Sequence, residues 1–394
     1  MEIAVGFSKE KDTLSAARQA SLSVKLQAKQ ERIDLALVFT SIHYANEGVL
    51  KGIKQILPDV KIIGCSCAGI ILSNGIENQG IAILALKTQR MNFGLGIAED
   101  INPGEERLKG RSLAKACLAS LGEHKKGVFM MLSDGLILNT SELIRGVQDV
   151  LGRSFPFIGG ASSDDFNFRK TFQFFQTRVL TNSAVGILWG GEISFGLGTQ
   201  HGWKPLGKPH IATLTLGNII KEIDNLPAIR IYEEYFGKDI EELHKIKLAT
   251  MTVLYPLGVY VAGEQEYLLR NAIDFTEEGF LICQGEVPQG CEIRLMMGNK
   301  DACLEATRHA SRDVVNNMRG KTPELALIFD SISRQRILGK MANKELEIVK
   351  AALGEETPIF GFYTYGEDAP LKALNYVGET YFHNETIAIL GISS

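Results

Sequence analysis

The chain has 394 residues, 45% of them hydrophobic and 22% charged, with a formal net charge of −4. That length exceeds one ordinary core, and the composition is that of a globular chain able to bury one, which excludes a disordered or fibrous protein. Basic residues never run beyond a pair, so neither nucleic acid nor an anionic membrane is an expected partner.

No apolar run approaches the roughly 20 residues of a membrane helix, and MEIAVGFSKEKDT enters a strand without a basic, cleavable leader. The expected address is the cytoplasm. Cys65, Cys67, Cys117, Cys283, Cys291 and Cys303 are scattered along the sequence, which suits reduced thiols and no disulfides.

In chain order, a strand at Glu2 to Gly6 precedes Thr13 to Lys29, where Leu14, Ala17, Leu22 and Leu26 recur at helical spacing. Next come a buried strand at Ile33 to Thr40, a helix from Asn46 to Leu57 closed by Pro58, and a buried strand at Val60 to Cys65. The loop Ser66 to Gly75 and a strand at Ile81 to Leu86 complete the first pass.

The same order returns after Met91. Strands are expected at Met91 to Asp100, Gly127 to Leu132, Phe155 to Gly159, near Thr171 and at Ala184 to Trp189, with helices at Arg111 to Leu121 and Ser141 to Leu151. A third pass is expected to open near Cys291 with CEIRLMMGN as its strand. Lys300 to Met318 and Met341 to Leu353 are then its helices, and LALIFDS, PIFGFYTYGED and ETIAILGIS its strands and loop. Between the second and third passes lies an insertion, Gly198 to Pro288, with a helix starting at or just after Pro227 and stopping at Gly237.

The passes align by sequence. LALVFTS at Leu35, VFMMLSD at Val128 and LALIFDS at Leu325 correspond, as do KIIGCSCAG at Lys61, PFIGGASSD at Pro156 and PIFGFYTYGED at Pro358. The offset from Leu35 to Val128 far exceeds the roughly 20 to 50 residues of a solenoid repeat, so these are duplicated globular units. The expectation is an α/β fold of two domains, 1–200 and 201–394. Each is built of strand-helix-strand-helix-strand-strand units whose mixed sheets pack against helices.

The duplication sets three polar loops at equivalent strand ends, where open α/β sheets take their ligands. The fullest is Ile158 to Phe168, IGGASSDDFNF. Paired glycines permit close backbone approach, and Ser162, Ser163, Asp164 and Asp165 add hydroxyls and carboxylates in one turn. The competing reading is a solvated turn whose side chains bond their own backbone.

With GCSCAG, GGASSDDFNF, HGWKPLG, the GN and LPA of the TLGN segment, and GFYTYGED followed by FHNET in view, the chain resembles the FIST family, the F-box and intracellular signal transduction proteins. The likeness runs nearly end to end, through a FIST N-terminal domain over 1–200 and a FIST-C domain over 201–394. It implies a cytoplasmic sensory protein that binds a small, amino-acid-like ligand and is coupled to a signalling partner protein. Two positions depart from the family pattern. Cys67 and Ile70 stand where a threonine and an acid are expected, and Ser331 stands where a thiol would precede Arg334.

Arg334 is the expected carboxylate clamp, because its planar guanidinium grips both oxygens. Asp164 and Asp165 would receive an ammonium, and Trp203, Tyr363 and Tyr365 would form walls. Cys65, Ser66, Ser162, Ser163, His201, Glu367 and Asn384 complete the expected ligand-binding set. No catalytic residue, cofactor or metal is assigned. Cys65 and Cys67 share one strand face but lack the second ligand pair that zinc needs. GLGTQHG at Gly196 meets no phosphate-loop spacing. The alternatives are a hydrolase or transferase using Ser162, Ser163 or Cys65 with an acidic partner, and a scaffold that binds protein alone.

Overall fold

A computed structural model describes residues 1–29, 31–237, 241, 242, 251–262, 264, 266–371 and 379–394. The first unit runs β1 (Glu2–Ser8), α1 (Thr13–Gln27), β2 (Leu35–Ser41), α2 (Glu47–Ile56), β3 (Lys61–Cys67), β4 (Ile70–Leu72), β5 (Gly75–Glu77) and β6 (Ile81–Lys87). The second runs β7 (Met91–Ala98), α3 (Glu106–Leu121), β8 (Lys126–Ser133), α4 (Thr140–Leu151), β9 (Phe157–Ala161), β10 (Gln173–Phe175), β11 (Arg178–Leu180) and β12 (Ala184–Gly191).

The third unit opens with β13 (Ser194–Gln200) and is interrupted at once by the insertion. That insertion holds β14 (Lys204–Leu216), β15 (Ile219–Ile223), β16 (Leu226–Pro227), α5 (Arg230–Phe236), β17 (Leu257–Tyr260), β18 (Tyr267–Arg270), β19 (Ala272–Phe275), β20 (Leu281–Cys283) and β21 (Glu292–Met297). The unit resumes with α6 (Lys300–Asn317), β22 (Leu325–Ser331), α7 (Ile332–Leu338), α8 (Ala342–Leu353), β23 (Ile359–Thr364), β24 (Glu367–Pro370), β25 (Thr380–His383) and β26 (Ile387–Ser393).

Local chemistry explains several boundaries. Asp12, Asn46 and Asn299 cap α1, α2 and α6 by accepting the N–H groups of Ser15, Gly48 and Ala302 at 2.8, 2.9 and 2.9 Å. Gly237 ends α5 in the left-handed conformation, with φ 61°.

Each unit builds one mixed sheet whose central pair, β2–β3, β8–β9 or β22–β23, is parallel. The outer hairpin of each sheet comes from a different unit. The sheets read β1-β6-β2-β3-β10-β11, β7-β12-β8-β9-β24-β25 and β13-β26-β22-β23-β4-β5. The first sheet therefore borrows from the second unit, the second from the third, and the third from the first.

Both faces of the central strands are buried, which accounts for their continuous apolar runs. Leu35, Leu37 and Phe39 of β2 meet Val128, Met130, Leu325, Phe329 and Phe360 in one core common to all three sheets. Phe39 lies 5.0 Å from Phe360 and 4.5 Å from Phe362 between ring centres. The alternate residues Ala36 and Val38 pack against α1 and α2, and Phe129 and Met131 against α3 and α4. The insertion has a separate sheet and core around Ile220, Tyr232, Val259 and Leu295.

Three readings of the sequence need correction. CEIRLMMGN contains β21, which pairs with β14 and β17 inside the insertion, so the third unit opens at β13 instead. Residues 194–200 accordingly belong to the third sheet. The stretch from Ser66 to Gly75 is not one loop, because β3 runs on to Cys67 and β4 departs to pair with β23. The helix α7 was not anticipated between β22 and α8. No helix among the described residues is long and apolar enough to cross a membrane.

Candidate functional site

The parallel pairs end side by side, with Ser41 opposite Cys67, Ser133 opposite Ala161 and Ser331 opposite Thr364. The loops that leave β3, β9 and β23 meet at one hub. Ser66 Oγ donates to the Ser163 carbonyl at 3.2 Å, and the Ser163 N–H donates to the Ser66 carbonyl at 3.2 Å. The Tyr363 N–H donates to the Gly69 carbonyl at 2.9 Å and the Tyr365 N–H to the Ala161 carbonyl at 3.1 Å. Ser66, Ser162, Ser163 and Tyr363 are fully buried there.

The hub's hydroxyls are spent on structure. Ser162 Oγ lies 3.0 Å from the Ser133 carbonyl and 2.8 Å from Thr171 Oγ1, and accepts from Gln173 Nε2 at 2.8 Å. Thr171 in turn donates to Asp134 at 2.7 Å. Cys65 and Cys67 do share a face and lie in the central core. Burial pushes both thiols above their ordinary pKa, which removes the thiolate that a nucleophile requires.

Asp164 organises its own loop. Its carboxylate accepts the N–H groups of Phe168, Arg169 and Lys170 at 2.8, 2.8 and 3.0 Å, and also the Tyr365 hydroxyl. Asp165 is exposed. The expected ammonium seat between these two acids is thus replaced by a loop clasp. Asp165, Phe166 and Phe168 all have positive φ, at 59°, 60° and 50°. Phe168 stacks on Tyr365 with ring centres 4.4 Å apart, so the loop becomes an aromatic flap.

Arg334 is not available as a ligand clamp. It is fully buried on α7 and donates to Asp330 at 2.8 Å, the His201 carbonyl at 2.6 Å, the Cys303 carbonyl at 3.0 Å and Thr307 at 2.9 Å. It also donates to Glu345 at 2.5 Å. Burial opposes its charge, yet Glu345 and Asp330 hold the guanidinium above its ordinary pKa. Arg334 locks β13, α6, α7 and α8 together.

His201 and Trp203 lie on the β13–β14 connection. His201 Nδ1 accepts the Trp203 N–H at 2.9 Å, and the indole packs among Leu269, Met296 and Cys303. Glu367 accepts from Thr364 and from the Thr386 N–H at 3.1 Å, and burial raises its pKa. Asn384 Oδ1 accepts the Asn271 N–H at 3.3 Å. Apart from the exposed Asp165, the expected residues therefore fall into two buried clusters, the loop hub and the surroundings of Arg334.

A cavity with mixed apolar and charged walls lies elsewhere. A space of about 460 Å³ opens where α4 and the borrowed strand β25 face β17, β18 and the 286–292 segment of the insertion. Ile144, Val259, Leu268 and Phe382 supply apolar wall, and two arginines supply charge. Arg145 is held by Glu286 at 2.7 Å and Glu142 at 2.5 Å.

Arg270 is 2% exposed, and its donors reach only carbonyls: Glu286 at 2.8 Å, Leu269 at 2.8 Å and Phe382 at 2.9 Å. Among the described residues no carboxylate forms an ion pair with it. Burial lowers its pKa to about 10, which leaves it charged at neutral pH. Sequence reasoning passed over Arg270 because YLLR reads as the end of an apolar strand. Only long-range geometry distinguishes a guanidinium with a counterion from one without. No group of three or more His, Cys, Asp or Glu among the described residues is arranged to hold a metal.

The FIST N domain matches residues 34–226, and the FIST C domain matches residues 228–370. The chain belongs to the FIST family. FIST domains are sensory domains of signalling proteins, and in this FIST protein the two matches meet just ahead of α5. An uncharacterised protein of Methanocaldococcus jannaschii is 26% identical over 282 residues, which spans 64% of this chain and 54% of that protein. The chain thus spans about half the length of that relative.

Two uncharacterised proteins of Mycobacterium tuberculosis are each 23% identical, over 382 and 397 residues, and cover 95% of this chain and 96% of their own. A crystal structure of cyanuric acid hydrolase from A. caulinodans aligns over 100% of this chain and 99% of its own. Its identity is 7% and its TM-score 0.39, too slight a likeness to carry an argument.

Proposed function

We propose that this FIST protein is a cytoplasmic sensor that binds a small carboxylate or amino acid in the junction cavity and signals to a separate partner protein. The observation that carries the proposal is Arg270. A buried guanidinium without a counterion is costly, and a ligand carboxylate entering the cavity would supply the missing charge in a bidentate grip. A volume of about 460 Å³ suits a ligand of that size. Arg145 offers a second cation, while Glu286 and Glu379 on the same walls offer acceptors for an ammonium.

The cavity's walls come from two bodies, the three-unit cycle and the inserted sheet. A ligand that touches both favours the arrangement in which both can touch it, and a partner reads the shifted population.

The test is a thermal-shift screen against amino acids and small carboxylates, followed by calorimetry on each hit. Ligand at a hundredfold over its dissociation constant adds about 2.7 kcal/mol of stability. Binding should be lost in Arg270→Met and weakened in Arg270→Lys, which keeps the charge but not the planar fork. A ligand bound equally by wild type and Arg270→Met would overturn the assignment.

A further inference from the structure

The junction cavity carries opposite charge at two ends. One end is Arg270. Its Nε and Nη1 donate to the carbonyls of Glu286, Leu269 and Phe382, which leaves Nη2, among the described residues, without an acceptor. Phe382 marks this end on β25.

The other end is acidic. Glu379 lines the cavity immediately ahead of β25. It pairs with the exposed Arg153 at 3.4 Å, and surface pairs of this kind are worth little. Burial raises the Tyr381 hydroxyl to about 12, and the fields of Glu379 and Glu264 add to the rise, so both acids stand at this end. The carboxylate of Glu286, whose carbonyl Arg270 binds, is already held by Arg145 at 2.7 Å.

Strand geometry sets the distance between the ends. Phe382 follows Glu379 by three residues, and extended backbone advances about 3.3 Å per residue, so the two lie about 10 Å apart. An α-amino acid carries its ammonium and its carboxylate on one carbon, so it can occupy either end but cannot bridge them. An extended tripeptide is as long as three strand residues and carries the two charges at opposite termini.

The wall between the ends suits a main chain. β25 is the last strand of its sheet. The carbonyls of Thr380 and Phe382 turn outward, where they accept Gln148 Nε2 at 3.2 Å and Arg270 Nη1 at 2.9 Å. A strand residue turns its N–H to the same side as its carbonyl, so the Thr380 and Phe382 N–H groups are edge donors. Such donors meet the carbonyls of an extended guest. Ile144, Val259 and Leu268 offer its side chains apolar surface, in a space of about 460 Å³.

We propose that the ligand of the junction cavity is a tripeptide with apolar side chains, its C-terminal carboxylate on Arg270 and its N-terminal ammonium on Glu379. The inference rests on the sensory reading of this cavity and narrows the ligand from amino acids to short peptides.

The experiment is calorimetry on the full chain with trialanine and trileucine, their N-acetylated and C-amidated forms, and free alanine and leucine. The tripeptides should bind at least about tenfold tighter than the amino acids, and blocking either terminus should cost about tenfold or more. Glu379→Gln should weaken the free tripeptides but leave their N-acetylated forms unchanged, which marks a direct contact with the ammonium. An amino acid or small carboxylate that binds through Arg270 while the tripeptides do not would overturn the peptide assignment and leave the sensory reading standing. Tripeptides bound equally with the amino terminus free or acetylated would overturn it too. If no peptide, amino acid or small carboxylate binds, both readings fall.

Discussion

The Ser163 hydroxyl donates to the Tyr363 carbonyl at 2.6 Å while accepting the Ala68 N–H at 2.9 Å. One oxygen thus joins the loop after β9 to the end of β23 and to the loop after β3. The local duplication expected from the sequence becomes, at this atom, a contact among all three units. Replacing Ser163 with alanine strands the buried Ala68 N–H, at a cost of about 1–3 kcal/mol. Urea unfolding should show a lower midpoint with an unchanged slope. A stability equal to wild type would mean that the hub does not hold the units together.

Each parallel pair contains a glycine at the same register. A methyl group on Gly64, Gly159 or Gly361 would stand 1.9, 2.2 or 2.2 Å from the carbonyl oxygen of Val38, Met131 or Ile328 on the neighbouring strand. These are backbone atoms in the middle of sheets and have no room to retreat. Gly361→Ala should therefore cost at least about 3 kcal/mol, and Gly64→Ala and Gly159→Ala should behave alike. A wild-type melting midpoint in any of the three would contradict the close approach.

Stability should respond to pH through two buried groups of opposite sign. Burial pushes Glu385 up from 4.5 to about 8, against the pull of Ser333 and Asn271. Between those values the folded chain keeps a proton that the unfolded chain has released, so stability falls as pH rises. Asp330, Glu367 and Asp368 are also raised by burial and act in the same sense.

Burial pushes His383 down from 6.5 to about 3, and its Nε2–H donates to the Ala369 carbonyl at 2.9 Å. Below 6.5 the unfolded chain takes a proton that the folded chain refuses, so stability falls as pH drops toward 3. The two slopes oppose one another between 4.5 and 6.5. Glu385→Gln should flatten the arm from 6.5 to 8 by up to about 1.4 kcal/mol per pH unit and leave the acid arm in place. Chemical denaturation across this range checks both halves, and an alkaline arm unchanged in Glu385→Gln would contradict the assignment.

The units were legible because their strands are long and buried on both faces. LALVFTS, VFMMLSD and LALIFDS advertise themselves as apolar runs, and the glycines of KIIGC, PFIGG and PIFGF mark the parallel partner. A strand near Thr171 was expected, but where the borrowed hairpins pair was not legible, since β4, β5, β10 and β11 have three residues each and pair outside their own unit. A signal for β13 did exist. FGLG occurs at Phe93 in β7 and again at Phe195, but the insertion drew attention to CEIRLMMGN instead.

The candidate site was legible only in outline. Asp330 and Arg334 stand four apart, so their pairing was open to inspection, whereas the Glu345 that completes it comes from α8. Arg270 matters for the ion-pair partner it lacks among the described residues, and such a deficit has no local pattern. The left-handed turn FHNET reads as ordinary turn chemistry until its glutamate is found inside.

The borrowing among the three sheets closes on itself, and this restricts how such a protein can be recombined. A cut between units leaves one sheet without its edge and another hairpin without a host, so neither 34–226 nor 228–370 can serve as an interchangeable cassette. The inserted sheet takes no strand from the cycle and lends none among the described residues. It enters and leaves through two adjacent joints, after Gln200 and before Lys300. New specificities can be shuffled in at that point, where one wall of the junction cavity changes and the other stays with the frame.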